Sequence, residues 1–99
     1  MTVPLTSLVG VARDQFFFLR PGLWPDWPFL PVVRRRPGGE QDLGLLYDFA
    51  HTSGRTGYSC TIFLCNYFLR PDAEGGLLAL PKETFDTWDE VSRAGWSVD

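Results

Sequence analysis

Leu43-Gly44-Leu45-Leu46-Tyr47-Asp48-Phe49-Ala50, a polar loop from His51 to Gly57, and then Tyr58-Ser59-Cys60-Thr61-Ile62-Phe63-Leu64-Cys65-Asn66-Tyr67-Phe68-Leu69 form the stretch whose reading decides the fold. In the first run Leu43, Leu45, Tyr47 and Phe49 alternate with Gly44, Leu46, Asp48 and Ala50, so a strand there has one wholly apolar face. In the second, Tyr58, Cys60, Ile62, Leu64 and Phe68 fall on one face and Phe63, Cys65, Tyr67 and Leu69 on the other. Apolar residues on both faces predict a strand in the middle of a sheet. The two runs are expected to pair as an antiparallel hairpin and to form the core.

Working toward the N-terminus, Leu30 to Arg36 reads as a further strand, stopped by Pro37-Gly38-Gly39. Ahead of it, residues 21–31 carry four prolines, which fix φ and remove backbone donors. That segment is expected to be an extended, stiff loop presenting Trp24, Trp27 and Phe29. From Ser7 to Arg20, β-branched and aromatic residues flank the polar pair Asp14-Gln15, which predicts two short strands around a tight turn. A single amphipathic helix is the alternative.

Toward the C-terminus, Arg70 to Gly76 reads as a polar turn and Leu77 to Leu80 as a short strand closed by Pro81. Residues 84–95 predict a helix. Thr87 and Glu90 have capping-box spacing, Arg93 sits in the last turn, and Gly95 suits a left-handed terminus. Phe85, Trp88 and Val91 make its apolar stripe, and Trp96 and Val98 are expected to touch the sheet. The expected fold is therefore α+β and mainly β, an antiparallel sheet of about five strands with one short C-terminal helix. At 99 residues, one domain over 1–99 is expected, large enough for a core without staples.

Composition sets bounds on function. The chain is 44% hydrophobic and 21% charged, so it is globular rather than disordered. Its net charge of -3 argues against a dedicated nucleic-acid binder. Met1 to Leu5 has no basic leader pattern and no apolar run reaches membrane-spanning length, which points to a cytoplasmic protein. Cys60 and Cys65, read on one strand, would lie on opposite faces about 16 Å apart, beyond the roughly 7 Å that a disulfide allows. Two reduced, mostly buried thiols are expected.

The motifs are few. Gly54-Arg55-Thr56-Gly57 with an upstream histidine invites comparison with the phosphate loop of protein tyrosine phosphatases. The nucleophilic cysteine of that loop would fall on Phe49, and the loop lies between two expected strands, so no helix N-terminus aims its amides at an anion and the comparison fails. What remains is a hairpin loop, with an anion site using His51, Arg55 and backbone amides as the alternative. Asp48, His51 and Ser53 are the residue types of a small hydrolase, but His51 is the only histidine. That also leaves no metal-ligand pattern, and no cofactor motif is present. Arg34, Arg35 and Arg36 read as edge-strand charges that deter sheet aggregation, with nucleic-acid or acidic-partner contact as the alternative.

These readings converge on a non-enzymatic protein-binding or regulatory module without catalytic residues. Trp24, Trp27, Phe29, Arg34, Arg35 and Arg36 would form its partner surface, used in a homodimer. The alternatives are a nucleic-acid-binding accessory protein using the arginine run and a hydrolase using Asp48, His51 and Ser53.

Overall fold

The computed structural model describes residues 5–99, with side chains from Gly10 onward. Met1 to Pro4, read above for a leader, lie outside the described residues. The architecture is α+β, and it grows from the hairpin of β1 (Phe29–Arg35) and β2 (Gln41–Tyr47). Pro37-Gly38-Gly39 reverses the chain between them, both glycines at positive φ, and the register runs from Phe29 opposite Tyr47 to Arg35 opposite Gln41. Two short strands, β3 (Thr61–Phe63) and β4 (Lys82–Thr84), extend the sheet on one side, and β5 (Trp96–Val98) closes the other. The order is β4-β3-β2-β1-β5, with every pairing antiparallel.

The first segment departs from its predicted form. Leu5–Phe18 is a helix, α1, not two strands around a turn. Its inward stripe explains why. Asp14 and Phe18, one turn apart, are both buried, and Gln15 beside them donates to the Trp88 carbonyl and the Ser92 hydroxyl at 2.9 Å each. Polar groups interrupt the apolar period of the helix, and their tertiary partners override the strand preference of the phenylalanines. Asp14 Oδ1 accepts the Val98 N–H at 3.1 Å, and Arg13 Nη2 donates to the Val98 carbonyl at 3.0 Å, fastening α1 along β5.

Two more corrections concern the chain after the hairpin. The expected strand from Tyr58 to Leu69 shrinks to β3, which lies inside the sheet next to β2 and is buried at all three positions. After it, Asn66 caps a 3-10 turn, Tyr67–Leu69, by accepting the Phe68 N–H at 3.0 Å. The β2–β3 pairing is antiparallel as expected, though a short helix, α2 (Phe49–Thr52), interrupts the connection. Leu77 to Leu80 is not a strand. Glu74–Leu78 forms the helix α3, and the strand falls at Lys82–Thr84 instead.

The C-terminal helix α4 spans Trp88–Arg93. Thr87 Oγ1 accepts the Glu90 N–H at 3.2 Å, Glu90 in return accepts the Asp86 N–H at 2.8 Å, and Gly95 takes φ +97°. Helices α1 and α4, the latter through Val91, cover one face of the sheet over Leu30, Val32, Leu46, Ile62 and Trp96. On the opposite face Phe49, Phe63 and Leu77 make a smaller core beside α3. Among the described residues no helix is long and apolar enough to cross a membrane.

The arginine run does not lie on an edge strand, because β1 sits between β2 and β5. Arg34 spans Glu83 with two 2.8 Å bonds, donates from Nε to Asp42 at 2.9 Å, and stacks over the Trp96 ring at 4.5 Å. Arg36 reaches the same Asp42 oxygen at 2.8 Å. Hydrogen bonds from Arg36 first and Arg34 second hold the Asp42 carboxyl below its ordinary value of 3.8. A depressed carboxyl contributes stability that is complete above its unfolded value and is lost as pH falls through the folded one. Asp42→Asn should therefore flatten the decline of the urea midpoint below about pH 4. Equal acid slopes in parent and variant would show that this network does not couple to folding.

Candidate functional site

Where β2 ends, Asp48 leaves the sheet and becomes the N-cap of α2. Asp and Asn favour that position because their oxygens satisfy free helix N–H groups. Asp48 Oδ1 accepts the His51 N–H at 3.3 Å, and its other oxygen is shared. Oδ2 accepts the Trp27 indole N–H at 2.8 Å and lies 2.8 Å from His51 Nδ1. A carboxylate only accepts, so Nδ1 carries the proton and Nε2 faces away from Asp48. The Asp48 side chain is 4% exposed and the His51 side chain 67%. The pair thus has a fixed, buried member and an accessible one.

This pair borders a cavity of about 400 Å3, the volume of a small-ligand site. Phe18, Trp24, Phe49 and Trp88 supply apolar wall, and Arg55, Thr56, Gly57 and Ser59 bring the loop after α2 to its rim. The wall is firm. Phe18 stacks on Trp88 at 4.9 Å, and Trp24 is pinned by its indole N–H donating to the Phe17 carbonyl at 2.7 Å. Arg55 Nε lies 3.4 Å from Glu74 Oε1, which also accepts the Ser53 hydroxyl at 2.9 Å.

The residues singled out from sequence are therefore only partly brought together. Asp48 and His51 form a hydrogen-bonded pair, while the Ser53 hydroxyl is given to Glu74. His51 and Arg55, the expected anion site, both line the cavity. Of the three aromatics expected on a common partner surface, Trp24 is in the core at 6% exposure, because a large flat ring fills the space between α1 and the sheet. Phe29 is half-buried, edge-on to Tyr47 with the Arg70 guanidinium over its ring. Trp27 remains exposed on one side, with its N–H engaged by Asp48. Arg35 is exposed, whereas Arg34 and Arg36 are committed to carboxylates of the same sheet.

Three features had no local signal. Trp27 is 21 positions from Asp48, so their bond depends on the path of the proline-rich segment, where the Trp27–Pro28 peptide is cis. Tyr67 donates to Asp26 across 41 positions, which raises the phenol above its ordinary range. Phe68 and Leu69, expected inside a central strand, are the most exposed large apolar residues among those whose side chains are described, at 87% and 77%. Cys60 and Cys65 are free, flanking β3 rather than lying on it. Cys60 is buried, which pushes its thiol upward, and Cys65 is only half-buried. No protein-family model, no curated protein and no solved structure matches this chain.

Proposed function

We propose that this domain is a non-enzymatic binding module whose working site is the cavity bordered by Asp48, His51 and Arg55. The observation that carries the reading is the combination of a firm aromatic wall with a few converging polar groups in about 400 Å3. Apolar walls supply most of the affinity in such sites, and a few placed polar groups supply orientation. Asp48 serves here as a positioning residue for His51, since its own oxygens are already occupied. Catalysis is the weaker reading because the Ser53 hydroxyl belongs to Glu74 rather than to His51. Nucleic-acid contact draws little support, with Arg34 and Arg36 neutralised by Asp42 and Glu83. Two free thiols favour a reducing compartment such as the cytoplasm, which quantifying thiols in protein isolated under trapping conditions would check.

A small-fragment screen followed by amide and indole NMR tests the reading. Hits should move the Trp24 and Trp27 indole signals and the amides of residues 48–59. Ala50 is exposed on α2 and lines the cavity, so Ala50→Trp should obstruct the site and abolish these shifts while the melting curve is retained. Fragments that shift only other regions, or shift nothing at millimolar concentration, would remove the cavity from consideration.

Contact with a protein partner, including a second copy of this chain, is a second reading. It rests on Phe68 and Leu43, which line one shallow groove and are 87% and 41% exposed. If this surface self-associates, sedimentation of the parent should show a dimer that Phe68→Ser disperses. A monomeric parent across the micromolar range would leave the surface without a role in self-association.

A further inference from the structure

We infer that the ligand of this cavity is a small aromatic carboxylate, an inference that rests on the cavity being a binding site. The acidic and basic side chains that line the cavity are Asp48, His51 and Arg55, with Glu74 behind Arg55. Asp48 cannot receive a cation. Its side chain is 4% exposed, and its two oxygens already take the Trp27 indole, the His51 ring and the His51 amide. Glu74 is turned to the Ser53 hydroxyl and to Arg55 Nε. The contact there is through Nε, and neither terminal nitrogen of Arg55 makes a hydrogen bond among the described residues. The Arg55 side chain is 54% exposed, leaving a planar two-donor fork at the cavity rim. Such a fork matches the two oxygens of a carboxylate.

The neighbouring backbone has the same polarity. The N–H groups of Arg55, Thr56 and Gly57 make no backbone hydrogen bond among the described residues, and Gly54 and Gly57, at φ +73° and +87°, shape the loop that carries them. Behind this rim of donors the wall is aromatic: Phe18, Trp24, Phe49 and Trp88. Flat apolar surface suits a ring, which stacks offset or edge-on against such walls. One end of the occupant is therefore anionic and hydrogen-bonded, and the other is flat and apolar.

Titration of the intact protein with phenylacetate, phenylacetamide and phenethylamine separates the possibilities, since the three share a ring and differ in charge. Phenylacetate should bind about tenfold more tightly than the amide, the effect of a charge-assisted hydrogen bond. Arg55→Gln, at an exposed position whose loss leaves the core intact, should bring the acid down to the level of the amide with no change in melting temperature. Equal binding of acid and amide, or a preference that survives Arg55→Gln, overturns the carboxylate assignment and leaves the cavity reading standing. Tightest binding of the amine overturns it too. If none of the three binds and none shifts the Trp24 indole, the assignment falls, and a separate failure of the wider fragment screen would take the cavity reading with it.

Discussion

Trp96→Ala is expected to cost about 3–5 kcal/mol, the range for truncating a buried large aromatic. For a domain of this size that is a drop of roughly 15–30 °C in melting temperature. The side chain is 1% exposed at the start of β5, yet it does more than fill space. Its ring lies beneath the Arg34 guanidinium at 4.5 Å, and its indole N–H donates to Glu83 Oε1 at 3.3 Å. Alanine would leave a cavity against β2 and strip the ring from a half-buried arginine. Since whole domains are stable by only about 5–15 kcal/mol, the variant should stand near the edge of folding at 37 °C. Denaturant melts of Trp96→Ala and Trp96→Phe decide the matter, because phenylalanine keeps a ring and should recover at least half of the loss. A cost under about 1 kcal/mol for the alanine variant would mean that β5 contributes little to the fold.

Gly44→Ala, adding a single methyl group, should cost about 2–3 kcal/mol, the upper part of the range for overpacking. A Cβ at Gly44 would stand 2.5 Å from Ile62 Cγ2 and 3.1 Å from Trp96 Cζ3. Real Cβ atoms essentially never approach as closely as the first distance and seldom as closely as the second, and both neighbours are held in the core, with Ile62 at 0% exposure and Trp96 at 1%. Gly44 is thus the notch on β2 into which the Trp96 ring sits. The Gly44→Ala, Trp96→Ala double variant should lose less than the sum of the two single losses, because removing the ring removes one of the two clashes. A strictly additive pair, measured by guanidinium unfolding, would place the two residues out of contact.

How much of this was legible in the chain follows from where each element draws its support. The strands β1 and β2 and the stop at Pro37-Gly38-Gly39 depend on local signals and stand close to where the sequence places them. Their pairing with each other was not expected, and the hairpin predicted with the run from Tyr58 is reduced to the single pair Leu45–Phe63. The cap of α4 is equally local, since Thr87, Glu90 and Gly95 are near neighbours. α1 was hidden because its inward stripe contains Asp14 and Gln15, whose partners Val98, Trp88 and Ser92 lie more than seventy positions away. Tyr67, Phe68 and Leu69 have the side chains of a strand, but the Asn66 cap turns the chain before they can extend one. At the candidate site, Asp48, His51 and Arg55 could be picked out by residue type. Their arrangement could not, because Trp27 and Glu74 fix it from outside the segment.

The fastening of α1 to β5 also governs how copies of this protein can meet. β5 is the outermost strand on its side, and an outer strand is a template for any extended segment that finds its free N–H and C=O groups. At Val98 both groups are already taken, the N–H by Asp14 and the carbonyl by Arg13. An incoming strand would have to break a charged clamp to pair at Val98. The opposite margin, β4, is three residues long and carries the exposed Lys82, which also discourages docking. Both rims of the sheet are thus poor templates for a further strand, which favours association of copies through their faces.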